Sequence, residues 1–296
     1  RITARRLPGR VLGQLRQDSV PHGRAACRPV RRGTLFRVQH GFQIFEGRDV
    51  RRGADEIFGG YNIYKEPLAV PAYDKIPFPI RRFIGKIASH LPKKSGINFL
   101  IRRGKKLEDR FIGNAYMFTE EERKKLLKIK TDAPSPAEVV KPFYDRVKDK
   151  DPVTKMQFVD LNAWMVGDIL LKADKMSMAN SLEVRVPFLD KEVFNVSRTI
   201  PTPFKANGEQ TKIALREAAE RAIPKDWAQK EKLGFPVPMV DWLRQDRYYN
   251  QVKEWFTGDI AQQFFNTDEL VRLLDEHRYK IDRSRKIWIV YMFLMW

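Results

Sequence analysis

At 296 residues, with 43% apolar and 11% aromatic side chains, the chain can bury one large core or two modest ones, which excludes a compositionally disordered protein. Its net charge of +19 is uneven: residues 1–52 hold thirteen Arg, no Lys and three acids, whereas residues 53–296 hold 43 basic and 34 acidic residues. A single cysteine, Cys27, excludes an internal disulfide framework and a Cys-rich zinc site, and fits a reducing, cytoplasmic setting.

The four histidines, His22, His40, His90 and His277, are far apart and show no metal-binding spacing. The Arg-rich start has no apolar core segment and no small-residue cleavage site, so a secretory signal is not expected there. Residues 1–52 follow neither a helical nor a strand period, and the character of the sequence changes abruptly at Gly53. Next come Gly59-Gly60 and prolines at 67, 71, 77 and 79, which predict an irregular stretch. Residues 81–106 read as amphipathic and very basic, with the charge run as a solvated face.

Thr119-Glu120-Glu121-Glu122 has the form of a capping box and predicts a helix through Leu126 and Leu127. Ser135-Pro136 opens another, with Val139, Val140, Phe143 and Val147 on one side. The strongest helical segment is 155–175. A helix is predicted over 209–222, ending before Pro224, and another is capped by Asn266 or Thr267 and runs through Val271 and Leu274. The apolar run 287–296, about ten residues, is too short for the roughly 20 that span a bilayer and reads as a buried terminal helix. Strand signals are few, so the visible body is expected to be mainly helical.

In the 155–175 segment, Phe158, Leu161, Met165, Asp168, Lys172 and Lys175 recur every three or four residues, so an apolar stripe runs into three charges on one helical face. Asp168 and Lys172 form an i,i+4 pair, which is either a surface ion pair or a cleft wall offering both charges to a zwitterionic substrate. Residues Gly53-Ala54-Asp55-Glu56-Ile57-Phe58-Gly59-Gly60-Tyr61 join an acidic pair to a glycine pair where backbone can approach a ligand closely.

With Met176-Ser177-Met178-Ala179-Asn180-Ser181-Leu182-Glu183-Val184-Arg185-Val186-Pro187-Phe188-Leu189-Asp190, this segment resembles the synthetase domain of the class B asparagine synthetases. Gln229-Lys230-Glu231-Lys232-Leu233-Gly234-Phe235-Pro236-Val237-Pro238 is similar to that family's third signature, and the resemblance runs from Gly53 to Trp296. It implies an α/β domain of the adenine-nucleotide α-hydrolase type, a parallel sheet covered by helices, of which residues 53–296 would be the C-terminal portion and would be predominantly α-helical. The implied activity is ATP-dependent amidation of aspartate through β-aspartyl-AMP, with ammonia from glutamine freed by an N-terminal Cys domain. ATP and Mg2+ are the implied cofactors. By the same resemblance Asp55 would help hold Mg2+, and Gly53, Gly59, Gly60 and Tyr61 would line the nucleotide side. Glu56 and Lys230 would be catalytic, with Lys230 steadying pyrophosphate. Asp168 would grip the substrate ammonium, with Lys172, Glu183 and Arg185 as further substrate contacts or as scaffold. The intact family protein would be a possible homodimer.

The sequence departs from the family in three places. It contains no Ser-Gly-Gly-x-Asp-Ser loop and no N-terminal Cys domain, and Val50-Arg51-Arg52 replaces the family's Ser-Gly-Glu before Gly53. If Asp49-Val50-Arg51-Arg52 is encoded GAT GTC CGG CGA, reading one base later restores Met-Ser-Gly and an acidic residue. Residues 1–52 are therefore expected to be a frameshifted, poorly ordered translation, and the chain taken alone is expected to be inactive and marginally stable. A related amidotransferase or β-lactam-type synthetase is the alternative in the same chemistry. A basic nucleic-acid-binding arm is the alternative from another class, although Phe36, Phe42 and Phe45 cluster only near its end.

Overall fold

In a computed structural model, the described residues are 47–49, 52–92, 96–230 and 237–296. Cys27, His22 and His40, most of the Arg-rich start (1–46, 50 and 51) and residues 231–236 of the third motif lie outside them.

The body is mostly helical. A short strand β1 (Gly47–Asp49) leads into a one-turn helix α1 (Ala54–Ile57), a 3-10 stretch (Asn62–Leu68), and the antiparallel pair α2 (Phe78–Ala88) and α3 (Ile97–Arg103). The basic segment predicted over 81–106 is thus two helices, broken by Pro92 and Gly96. Next are α4 (Glu120–Leu126) and α5 (Pro136–Arg146), each opened by a capping box, with Thr119 and Glu122 in one and Ser135 and Glu138 in the other. On α5 the buried side chains are Val140 and Tyr144, while Val139 is exposed, so the face is turned from the predicted one toward the aromatic ring of Tyr144.

The long helical segment runs unbroken over 152–178, but in three parts: α6 (Pro152–Val159), a π-helical stretch (Asp160–Leu170) and α7 (Leu171–Met178). After it, strand β2 (Glu183–Arg185) pairs in parallel with β1, Arg48 opposite Val184, and these are the only named strands among the described residues. Helix α8 (Lys191–Thr199) follows. The helix expected over 209–222 is shorter, α9 (Ile213–Ala219), because the Asn207 side chain accepts from the Glu209 and Gln210 backbone N–H groups and holds that segment in a turn. The chain ends in α10 (Asp246–Thr257), α11 (Asp259–Phe264), α12 (Thr267–Tyr279) and α13 (Ser284–Met295).

The described residues form two cores. The larger one gathers α10 to α13 with Leu126, Met239 and Trp242, around fully buried Trp288, Leu270, Leu274 and Phe256. The apolar C-terminal run is indeed a buried helix, with only Trp296 well exposed. The smaller core joins Tyr64 and Phe111 to Val140, Tyr144, Val153, Met156 and Val159. It is the base on which the candidate site stands.

Candidate active site

The segment after β1 turns sharply because Gly53 adopts φ +92°, a left-handed conformation that side chains resist, and its carbonyl then accepts from the Glu56 and Ile57 N–H groups. That one-turn helix carries Glu56 inward. The Glu56 carboxylate is 1% exposed and accepts the Tyr61 hydroxyl at 2.5 Å, while its backbone carbonyl accepts Gln157 Nε2 from α6 at 2.6 Å. Trp164, on the π-helical stretch, donates Nε1–H to the Tyr61 oxygen at 3.0 Å. Burial and the neighbouring Glu56 charge push the Tyr61 hydroxyl far above its ordinary range, so it stays a neutral phenol.

The same helix continues the network outward. The Lys172 ammonium lies 5.7 Å from the Trp164 ring centroid and donates to Asp168 Oδ2 at 3.0 Å. Lys172 is buried and Asp168 partly exposed, so the pair forms the rim of a buried polar chain that passes through Trp164 and Tyr61 to Glu56. A second carboxylate closes the inner end. Asp160 is fully buried and accepts the Tyr64 hydroxyl at 2.6 Å and the Asn114 backbone and side-chain N–H groups at 3.1 and 2.7 Å. Burial raises its carboxyl to about 7 against the pull of those donors, and the Glu56 charge pushes in the same direction as burial.

The π-helical stretch is what lines these groups up. Asp160, Trp164, Asp168 and Lys172 are four residues apart, and so are Met156 before them and Met176 after them. Steps of four from Met156 to Met176 would rotate about 200° around an ideal α-helix. The wider i→i+5 turns absorb that drift, and Met156, Asp160, Trp164, Lys172 and Met176 are all buried.

Asp55 points elsewhere, with its Oδ1 2.7 Å from Lys212 Nζ. Lys212 itself sits at φ 56°, an uncommon backbone state for a side chain with a Cβ, at the start of α9. A Cβ at Gly60 would fall 2.2 Å from both Asp55 Oδ1 and Lys212 Cε, so only glycine lets this ion pair pass against the backbone. Gly59, at φ +71°, makes the turn that places Tyr61.

Of the residues singled out in the sequence, Glu56, Tyr61, Asp168 and Lys172 fall into one connected network, and Gly53, Gly59, Gly60 and Asp55 build the turn beside it. Glu183 and Arg185 pair with each other at 2.9 Å on the exposed strand β2, and no hydrogen bond or ion pair among the described residues joins them to the network. Lys230 is exposed just before the undescribed 231–236, its carbonyl accepting from Arg216 at 2.9 Å. Asp160, Trp164, Tyr64, Asn114, Gln157 and Lys212 complete the arrangement and were not anticipated. The four-residue spacing from Asp160 to Lys172 was the only signal for Asp160 and Trp164, and the other four carried none.

The arrangement is thus a buried chain of acid, phenol and indole that ends in a partly exposed Asp–Lys pair. The family model for asparagine synthase matches residues 52–296, and the chain belongs to that family. It is 43% identical over 250 residues to the glutamine-hydrolyzing asparagine synthetase 1 of Bacillus subtilis (strain 168), covering 82% of this chain and 39% of that relative's length. It is 31% identical over 114 residues to the glutamine-hydrolyzing asparagine synthetase 3 of the same organism, 38% of this chain and 18% of the relative. The glutamine-hydrolyzing enzyme of Mesocricetus auratus is 30% identical over 141 residues, 42% of this chain and 24% of the relative. The chain therefore spans about two fifths or less of these relatives. No solved structure matches it.

Proposed function

We propose that this chain supplies the aspartate-handling wall of a glutamine-dependent asparagine synthetase acting in the cytoplasm. ATP would adenylate the aspartate side chain to β-aspartyl-AMP, and ammonia from glutamine would displace AMP. The observation that carries the reading is the network joining Glu56 and Tyr61 in the first motif to Asp168 and Lys172 on the long helix.

The chemistry asks for such a wall. Bringing a carboxylate to the α-phosphorus sets anion against anion, so the site must orient aspartate by its far end while cations neutralise the phosphates. Asp168, half-open on the rim, can take the α-ammonium. Lys172 beside it can take the α-carboxylate, and in doing so it would exchange one carboxylate partner for another without losing its own compensation. Tyr61, which gives its one proton to Glu56 and takes the Trp164 N–H, can fix the Glu56 carboxylate in place. Glu183 and Arg185 fit a supporting loop. Lys230, exposed at the edge of the third motif, fits a pyrophosphate contact.

Asp55 is a hard oxygen donor at 21% side-chain exposure, but Lys212 occupies its Oδ1 and no cluster of three ligating side chains surrounds it among the described residues, so Asp55 would hold Mg2+ only by exchanging Lys212 and with phosphate oxygens as the further ligands. Mg2+ would add charge neutralisation at the phosphates. The parallel pairing of β1 and β2 and the exposed Val196, Phe204 and Trp227 support a reading in which these helices cover a larger parallel sheet of the adenine-nucleotide α-hydrolase type.

The 296 residues contain no Ser-Gly-Gly-x-Asp-Ser loop to cradle pyrophosphate, so the chain alone should release none from ATP. A chimera carrying residues 53–296 in place of the matching segment of the Bacillus subtilis relative, with that relative's own residues kept before Gly53, should form asparagine, AMP and pyrophosphate from aspartate, ATP and glutamine. In it, Asp168→Asn should raise the KM for aspartate about tenfold or more, the loss of a charged hydrogen bond. A chimera that folds with the relative's helical content yet amidates a different carboxylate, or none, would overturn the reading.

A further inference from the structure

The basic segment singled out in the sequence is not used by this chemistry, and it combines exposed apolar side chains with a run of positive charge. Residues 75–107 contain ten Lys and Arg and no Asp or Glu. The body from 53 to 296 carries a net +9, so the remainder of it is close to neutral and its positive charge is concentrated in this one stretch.

Helix α2 has three distinct faces. Gly85 and Ala88 are buried against α3, where Gly85 Cα approaches Gly104 so closely that a Cβ at position 85 would stand 3.0 Å from Gly104 Cα and 3.0 Å from the Leu100 carbonyl. Arg82 and Lys86 lie on a second, exposed face. The third carries Ile80, Phe83, Ile84 and Ile87, with Leu91 one turn on, all within about 100° of arc. This apolar face points into solvent: Ile80, Phe83, Ile87 and Leu91 are 51%, 65%, 51% and 49% exposed. A surface helix of a globular protein turns its apolar stripe to the core; here the small residues take the core and the large ones are presented outward.

The hairpin is braced in that pose. Asp74 holds both Arg81, at 2.7 Å, and the buried Arg103 of α3, and Glu66 holds Arg110 at 3.2 Å and Arg102 at 3.7 Å. The exposed stripe is thus a fixed feature of the fold.

We propose that the α2–α3 hairpin is a docking surface for an anionic lipid membrane. The stripe is a row of large apolar side chains on one exposed helix flanked by basic residues, the amphipathic pattern that a fluid anionic interface accepts without a complementary partner. Its exposed polar residues Arg82 and Lys86 are cationic, which complements acidic headgroups and opposes pairing with a second copy of the same basic ridge. No described helix is long and apolar enough to cross a membrane, so the hairpin would lie along the surface.

The test is sedimentation of the 296-residue chain with vesicles. Binding is expected to vesicles of equal phosphatidylglycerol and phosphatidylcholine at 50 mM salt and to fall at least tenfold at 500 mM or on phosphatidylcholine alone. F83S/I87S should weaken it about a hundredfold and R82E/K86E more than tenfold, with unchanged circular dichroism. W227S, which removes an aromatic ring 75% exposed outside the hairpin, should leave it unchanged and so separates docking from general stickiness. Equal binding to neutral vesicles, insensitivity to F83S/I87S, capture of polyglutamate without vesicle binding, or a solution dimer that F83S/I87S dissociates would each overturn the proposal.

Discussion

At the scale of single residues, the site works by giving each buried charge a partner it can later exchange. Lys172 is buried with its ammonium between Asp168 and the Trp164 face, and both contacts offset the cost of removing it from water. Lys172→Met keeps most of the apolar stem but leaves Asp168 uncompensated. Because Asp168 keeps some access to solvent, the expected loss is about 1–2 kcal/mol, short of what breaking a fully buried pair costs. Urea unfolding should show that loss, and D168N/K172M should recover part of it, since the two side chains are in contact and their effects cannot add. A loss in the double variant equal to the sum of the Lys172→Met and Asp168→Asn losses would mean that the ion pair contributes nothing and that Lys172 acts through packing alone.

At the scale of elements, the helix starts were the most legible feature of the sequence because their signals are local. Thr119 accepts from Glu122 N–H at 3.2 Å while Glu122 returns to the Thr119 N–H at 2.9 Å, the reciprocal pattern that Thr-Glu-Glu-Glu spells out. Thr119→Ala should therefore cost about 1 kcal/mol in thermal or urea unfolding. Glu122→Ala should cost more, because Glu122 also pairs with Lys286 and ties α4 to the terminal helix. Equal effects would deny that tie.

The π-helical stretch was not legible. Phe158, Leu161, Met165, Asp168 and Lys172 satisfy a 3.6-residue period well enough to predict an ordinary helix, and only the second series, Asp160, Trp164, Asp168, Lys172, betrays the wider turn. The ends of the site were partly hidden for a related reason. Lys212 meets Asp55, and Asn114 meets Asp160, across long stretches of sequence, and nothing local marks either as a partner. The family motifs could flag Glu56 and Tyr61. They could not say that Tyr61 would hand its hydroxyl to Glu56 and receive Trp164.

At the scale of the whole molecule, the two cores carry buried titrating groups of opposite tendency. His277, fully buried beside the larger core, accepts from the Arg283 N–H at Nδ1 and sets Nε2 against the Val240 carbonyl, and burial holds its pKa below the usual 6.5. A histidine kept neutral in the fold stabilises it above about pH 6.5, and that contribution is lost as pH falls through the lowered native value. Asp160, beside the smaller core, is raised to about 7 against roughly 3.9 in an unfolded chain. Its sign is reversed: the native state binds the proton more tightly, so its contribution is complete below about pH 4 and is lost as pH rises through 7. Between pH 5 and 7 the two slopes oppose each other, each at most about 1.4 kcal/mol per pH unit, and the native profile should be flatter than either alone. Asp160→Asn separates them. The variant loses one bond, because an amide nitrogen would face the Asn114 backbone N–H, but that penalty does not change with pH. Its stability relative to the parent, from urea midpoints, should therefore climb on the order of 2 kcal/mol from pH 5 to 8, while every other titrating group cancels in the difference. A constant difference across that range would place the Asp160 carboxyl near its ordinary value and remove the opposing slope.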